Sequence, residues 1–324
     1  MIEGSTAKGC RLIKTPEFSV EELRALINPS RPPLKLRGGE GGVMSMERII
    51  GKEIIFHESL DSTNTLAMEL AEKGLPHGTV VIADRQLKGK GRLGRTWFSP
   101  PQGNIYMSVI VRPEIEPKDA TLLTIMSAIS CARAIRNSTG IEVKIKWPND
   151  LMVSERKLGG ILTEMKSGQD RIVFAVIGIG INVTPPLCPP LARGGWGGDA
   201  FPPEVRSVAA SVMEELRRKE TTPLCPPLAR GGWVGKEISR TLIIAAILSE
   251  LEKWFKVLIK GGRIQLINEW KKLSSTLGKK VKVVSGKDTS SGIAEDIDDE
   301  GMLILRLPSG GLKKISAGDV IMLR

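Results

Sequence analysis

Apolar residues recur along this chain with two distinct periods. Behind Ser62 and Thr63, either of which can cap a helix, Leu66, Ala67, Leu70 and Ala71 fall on one helical face until Gly74 ends the pattern. Thr79 to Ala83 and Ile105 to Val111 are short continuous apolar runs and predict buried strands. Asp119 opens a long apolar helix through about Arg136, with Gly140 closing it. Glu142 to Trp147, Lys157 to Glu164 and Arg171 to Val183 predict three more strands, the first two parted by the turn Pro148-Asn149-Asp150. A helical block runs from about Lys236 to Val257, and a shorter one closes at Trp270. After Leu277 the character changes, since KKVKVV, SGIAEDI, MLILRL and DVIML are short strands bounded by Gly, Ser and Asp turns. The pattern predicts a larger mixed α/β domain followed by a small β-barrel of about fifty residues.

A repeat interrupts this pattern. PLCPPLARGGW occurs at Pro186 to Trp196 and again at Pro223 to Trp233, and a looser copy, PSRPPLKLRGG, occupies Pro29 to Gly39. The residues between copies share nothing, which excludes a solenoid, where each period must be a whole packing unit. Pro-Pro followed by Gly-Gly cannot continue a helix or a central strand, so each copy predicts a surface loop. The near-identity of copies in unrelated contexts suggests a repeated element inserted into the reading frame; a Pro-rich ligand for a partner is the other reading.

Composition narrows the chemistry. The four cysteines form no CxxC, which argues against a zinc site or disulfide framework, and two histidines leave no His-rich metal centre. Catalysis therefore falls to Lys, Arg, carboxylates and backbone amides. The longest strictly apolar runs, such as Leu242 to Leu248, fall far short of the roughly 18 to 20 residues of a membrane span, and the start reads as neither secretory signal nor transit helix. A cytoplasmic location and no membrane partner are expected. The net charge of +11 comes from 47 Lys and Arg against 36 Asp and Glu, mixed over most of the chain. The one dense cationic stretch without acids, Arg85 to Arg95, suits a small polyanion better than a duplex.

That stretch holds the strongest local signal, Gln86-Leu87-Lys88-Gly89-Lys90-Gly91-Arg92-Leu93-Gly94-Arg95 directly after a predicted strand. Three glycines spaced by cationic side chains let backbone amides approach an anion while charge arrives from several directions. The P-loop alternative fails because Ser99-Pro100-Pro101-Gln102-Gly103 forbids the helix that must follow. A second signal is Lys146-Trp147-Pro148-Asn149-Asp150 followed by Lys157-Leu158-Gly159-Gly160, where a Lys beside two side-chain-free residues can reach an oxyanion as the backbone packs on the ligand. Gly178-Ile179-Gly180-Ile181-Asn182 lacks the third glycine and the helix of a dinucleotide fingerprint.

Taken in order, Ser62-Thr63-Asn64, Gln86 with GKGRLGR, KWPNDLMV, KLGGILTEM and GIGIN, these residues resemble the biotin–protein ligase family, over about Gly51 to Arg324. The resemblance implies an α+β fold, in which a mixed β-sheet catalytic domain with flanking helices, of the biotin/lipoyl ligase kind, precedes a small SH3-like β-barrel. It divides the chain into residues 1–50, a catalytic domain over 51–275 carrying the insertions near 184–198 and 221–235, and a barrel over 276–324. It also implies a two-step reaction, in which biotin and ATP, arriving with Mg, give biotinyl-5′-AMP before a lysine of a biotin carboxyl carrier domain takes the biotinyl group.

By matched position, Arg92 and Lys157 would be catalytic. Ser62, Thr63, Asn64, Gln86, Lys90, Gly91, Arg92, Lys157, Gly159 and Gly160 would bind biotin. Gly89, Lys90, Arg92, Arg95, Trp97, Lys146, Asn149, Asp150 and Asn182 would bind the adenylate. No protein-fixed metal is expected, and the Mg of the ATP complex would lie near Asp150. The family usually reads GRGRxGR, so Lys90 keeps a charge but loses a bidentate fork.

Some members carry an N-terminal winged helix. Here Phe18-Ser19-Val20-Glu21-Glu22-Leu23 predicts one helix start and nothing supplies a helix-turn-helix, so no specific DNA binding is expected. Three rival readings remain: a lipoate or octanoate ligase, a decayed biotin binder, and a basic nucleic-acid-binding protein. Self-association as a homodimer is left open. Against nucleic acid stand the acidic run Glu295-Asp296 and Asp298-Asp299-Glu300 and the shortage of Tyr and Phe for stacking.

Overall fold

A computed structural model describes residues 18–27, 49–101, 103–184, 208–219 and 239–323. All three repeat copies lie outside these residues. In chain order the helices are α1 (Val20–Ile27), α2 (Thr63–Glu72), α3 (Ala120–Thr139), α4 (Val212–Lys219), α5 (Arg240–Ile259) and α6 (Arg263–Leu273). The strands are β1 (Ile54–Leu60), β2 (Val80–Gln86), β3 (Ile105–Val111), β4 (Lys144–Lys146), β5 (Asp150–Val153), β6 (Arg156–Ser167), β7 (Ile172–Ile181), β8 (Lys280–Ser285), β9 (Asp288–Ile297), β10 (Leu303–Arg306), β11 (Leu312–Ile315) and β12 (Asp319–Met322).

The first seven strands form one sheet in the order β1-β2-β3-β7-β6-β5-β4, parallel only between β1 and β2, which α2 connects. Because strand side chains alternate, the apolar runs of β2, β3 and β7 supply both faces. Ile82, Met107, Val109, Ile177 and Ile179 join the large core with α3, α5 and α6, while Val81, Ile110, Phe174 and Val176 pack against Ala67 and Ala71 of α2. The register Val81↔Ser108↔Gly178 and Tyr106↔Gly180↔Gly160 continues that second face toward one end of the sheet, where small and polar residues replace apolar ones. A hollow forms there.

The last five strands form a separate antiparallel sheet, β11-β10-β9-β8-β12. It seats on the first through Trp147, whose Nε1 donates to Gly301 O at 3.0 Å and whose N donates to Thr276 Oγ1 at 2.9 Å. Arg263 Nη1 donating to Asp299 O at 3.3 Å and the ion pair of Lys271 with Asp296 at 2.8 Å add contacts across the seam. Among the described residues no helix is long and apolar enough to cross a membrane.

Several elements differ from expectation, each for a physical reason. Asp150–Val153 is a strand rather than the end of a turn, because Lys146 and Asp150 pair across the tight Trp147-Pro148-Asn149 reversal. The edge strand β1 is mostly exposed and shows no apolar alternation, and β11 buries only Ile315, so neither has a sequence signature. The short helix α4 was likewise not anticipated. Ser239 caps α5 through Leu242 N at the start of the described helix, and Lys236, where the pattern places the beginning of the helical block, lies outside the described residues. The shorter helix runs past Trp270 to Leu273.

Candidate active site

The hollow begins at the N-terminus of α2. Ser62 caps this helix, its hydroxyl accepting from Thr65 N, and leaves Thr63 and Asn64 buried in the first turn. Gln86, the last residue of β2, reaches back so that its Oε1 accepts from Thr63 N at 2.9 Å and from Thr63 Oγ1 at 3.1 Å, while Nε2 donates to Ser99 Oγ at 2.9 Å. Ser108 Oγ lies 2.6 Å from Asn64 Oδ1 and 2.8 Å from Thr63 Oγ1; its single proton goes to Asn64, whose carbonyl can only accept. Asn64 Nδ2 in turn donates to Glu164 Oε2 at 2.8 Å and to Leu162 O at 3.2 Å. Such a network orders hydroxyls and amides before any ligand arrives. A side chain at Gly178 would collide with Asn64 Oδ1, so a glycine is needed there for the network to sit against β7.

A strap over residues 87–97 closes one side. Leu87 N and Lys88 N donate to Leu60 O and Asp61 O at its entry, and Trp97 N donates to Gly89 O at its exit. Its tip turns at Leu93 and Gly94, both with positive φ. Each cation of the strap reaches a different element: Lys88 the Asp61 carboxylate at 2.7 Å, Lys90 that of Glu164 at 3.8 Å, Arg92 the Asn149 Oδ1 at 3.1 Å and Gly318 O at 3.4 Å, and Arg95 the Asp319 carboxylate. Burial pushes the Arg92 guanidinium below the usual arginine range against the pull of Asp319 and Asp150.

The third wall is β5 and β6. Lys157 Nζ pairs with Asp150 Oδ1 at 2.6 Å and stands 5.5 Å from the centre of the Trp97 ring. Asn149 is fixed by donation from its Nδ2 to Ile161 O at 2.7 Å and by Ile161 N on its own carbonyl at 3.0 Å. A Cβ at Gly180 would lie 2.7 Å from the Trp97 indole, and one at Gly160 would lie 3.6 Å from Lys157 Nζ. The Trp97 Nε1 is buried without a hydrogen-bond partner among the described residues.

The cleft so bounded is concave and open at its mouth, the shape of a small-molecule site. Ser62, Thr63, Asn64, Gln86, Lys90, Gly91, Arg92, Arg95, Trp97, Asn149, Asp150, Lys157 and Gly160 all line it. Four cations against two carboxylates, Asp150 and Asp319, leave an excess of positive charge that suits a ligand with several anionic groups.

Four expected residues are not in its walls. Gly89 packs against Trp97 O and Ser99, and Gly159 against Gly180 O, so both are spacers between backbones. Asn182 is buried, its Nδ2 donating to Ala210 O at 3.1 Å. Lys146 pairs in register with Asp150 beside the cleft, where burial first, and then Lys157 and Arg95, hold its pKa below the usual lysine range.

The walls also include Thr96, Ile161, Leu162, Gly178, Ile179, Gly180 and Asp319, none of them anticipated. Gly178 and Gly180 carried a signal, two glycines at strand spacing; Asp319, arriving from the other sheet, carried none. Among the described residues no three His, Cys, Asp or Glu side chains gather to hold a metal. One carboxylate, Asp150, faces the cleft beside Lys157, which fits a divalent ion only if substrate phosphates supply most of its ligands.

Residues 56–182 match the model of the biotin/lipoate A/B protein ligase family, and residues 276–323 match the biotin protein ligase C-terminal domain. The chain is 31% identical over 320 residues to the bifunctional ligase/repressor BirA of Bacillus subtilis, covering 98% of this chain and 84% of that protein. It is 29% identical over 261 residues to the biotin–[acetyl-CoA-carboxylase] ligase of Paracoccus denitrificans, covering 77% and 92%. The biotin protein ligase from Aquifex aeolicus in complex with biotin and ATP superposes with a TM-score of 0.63 at 25% identity, over 84% of this chain and 99% of that one.

Proposed function

Since this chain belongs to the biotin/lipoate A/B protein ligase family and is a biotin–protein ligase, we propose that it joins biotin to ATP as biotinyl-5′-AMP in this cleft and passes the biotinyl group to a lysine of a biotin carboxyl carrier domain. In the first step a biotin carboxylate oxygen attacks the α-phosphorus, and the bond to pyrophosphate breaks. In the second the carrier lysine, as the neutral amine, attacks the acyl carbon; AMP leaves with the bonding pair and the amine gives up its proton. Neither step needs a nucleophile from the enzyme. What is needed is two anions held together and the charge on the reacting oxygens balanced.

The observation that carries this reading is the polarity of one cleft: an ordered set of neutral donors and acceptors at α2 and Gln86, held from behind by Ser108, and the guanidinium of Arg92 and ammonium of Lys157 in the same walls. The neutral end suits a ureido group, which both donates and accepts. Lys157 would stabilise the oxygens shared by carboxylate and α-phosphate, with Asp150 holding its ammonium in place. Arg92 would neutralise the carboxylate and then the adenylate, and Asn149 would orient that guanidinium. Mg bound with ATP would supply further neutralisation of the phosphates, with Asp150 as the carboxylate that would hold it. On this reading residues 51–275 form the catalytic domain and 276–324 a barrel that helps close it.

The test is turnover: purified protein with biotin, MgATP and a recombinant carrier domain, following pyrophosphate, AMP and carrier mass, with lipoate as control. A biotin-dependent gain in carrier mass is expected; labelling with lipoate but not biotin would overturn the reading. DNA binding is not part of the proposal. α1 buries Leu23 and Ile27 in the catalytic core, and the first turn of its exposed face carries Glu21 and Glu22, whose charge opposes a phosphate backbone. A gel shift with operator DNA should show only salt-labile retention, and salt-resistant, sequence-specific retention would contradict this.

A further inference from the structure

Residues 208–219 are the described segment between the two stretches that hold the PLCPPLARGGW copies. Its start lies parallel to the beginning of β6. Lys157 N donates to Val208 O at 2.8 Å and Ala210 N donates to Lys157 O at 2.8 Å, so the segment grips both backbone groups of the residue whose ammonium enters the cleft. Asn182 backs this grip, donating from Nδ2 to Ala210 O at 3.1 Å and accepting from Val212 N at 3.0 Å.

The side chain that bolts the segment down is Arg156. Its Nη1 donates to Ala209 O at 3.2 Å and to Glu214 Oε1 at 2.9 Å, and its Nη2 donates to Glu215 Oε1 at 2.6 Å. Glu215 is only 7% exposed and Arg156 only 20%, so this is not a loose surface pair. Arg156 itself does not line the cleft. Neighbouring Lys157 does, and a planar fork tied to two carboxylates and a carbonyl holds geometry more tightly than a single ammonium would.

We propose that Arg156 is a positioning residue of the adenylation step: by clamping residues 208–215 through Ala209, Glu214 and Glu215, it fixes the main chain of Lys157 and so sets where the ammonium meets the reacting oxygens. The proposal rests on the biotin-activation reading above. Misplacement of a catalytic group by about an ångström can cost on the order of 10² in rate.

Removing Arg156 outright would leave a buried carboxylate unpaired, so the informative variant is Arg156→Lys, which keeps the charge and loses the fork. Biotin-dependent exchange of pyrophosphate into ATP is measured for the wild type, Arg156→Lys, Lys157→Ala and the double variant, with amide hydrogen exchange at Lys157 and Ala210. Arg156→Lys should lower kcat about tenfold with the biotin KM within about twofold, and should speed exchange at both amides. In the Lys157→Ala background the same change should cost less than about twofold, since no ammonium remains to position.

An unchanged kcat, or an equal loss in both backgrounds, would overturn the positioning role and leave Arg156 a structural residue. If the wild type shows no biotin-dependent exchange, the biotin reading fails on its own. The amide protection of Lys157 then decides the clamp separately, and protection unaltered in Arg156→Lys overturns it.

Discussion

Lys157 and Arg92 carry different demands although both are cations in one cleft. Lys157 projects from a paired strand and is held by Asp150 at 2.6 Å, so its ammonium has a defined position before substrates arrive. Lys157→Ala should reduce adenylate formation by on the order of 10² or more, the effect of losing a transition-state oxyanion contact. Single-turnover pyrophosphate release checks this, and near-normal release would remove the role. Arg92 instead sits on the strap, half-buried between Asn149 and Gly318 O. Arg92→Ala should therefore leave the fold intact while bound biotinyl-AMP escapes several-fold faster, which filter-binding chase with labelled adenylate reads directly. Unchanged retention would show that the strap holds without its guanidinium. The glycines are the quieter half of the residue scale, because Gly178 and Gly180 admit Asn64 and Trp97 only by having no side chain.

The helices and strands bring these residues together through joints that are themselves titratable. Glu252 on α5 accepts from Ile49 N at 3.1 Å and Ile50 N at 2.7 Å, anchoring the chain just before β1. Burial alone would raise its carboxyl, but Lys256 and those two amides outweigh it and hold the pKa below the ordinary value of 4.5. A depressed carboxyl contributes stability that is present above its unfolded value and lost as pH falls through the folded one. The melting temperature should accordingly drop as pH falls below about 4.5. Glu252→Gln should melt lower than wild type near neutrality and lose part of that acid slope; parallel acid profiles in calorimetry would exclude this joint.

The elements that escaped sequence reading, β1, β5, β11 and α4, are short or weakly patterned: β1 and β11 are mostly exposed, and β5 and α4 bury Leu151, Val153 and Val212 in too few residues for a period to declare itself. Those read nearly to the residue, such as β3 and α3, are apolar enough to declare themselves, and α3 ends at Gly140 in the left-handed conformation that glycine permits.

Across the whole molecule, the five-stranded sheet reaches the cleft of the seven-stranded one through Asp319 and Gly318. Asp319 meets Arg95, which is largely exposed, and such a pair contributes little to stability, about 0 to 1 kcal/mol. Its effect should fall on the strap rather than on the fold. Asp319→Ala is expected to keep the melting temperature within about 3 °C while speeding loss of biotinyl-AMP, and unaltered adenylate lifetime would confine the contact to packing.

How much of this was present in the chain before folding follows from what each feature depends on. The two-part architecture, the strap and the pairing of KWPND with KLGG rest on local facts: apolar periodicity, glycine freedom and charge at fixed spacing act between near neighbours, so the order of residues determines them. Asn182 shows the limit, since the resemblance matched it to the adenylate, whereas its amide donates to Ala210 O. Asp319 and Arg156 show the same from the other side. Their work depends on which backbone or charge lies opposite, at separations of tens to hundreds of residues, and only the tertiary structure brings those partners within hydrogen-bond range.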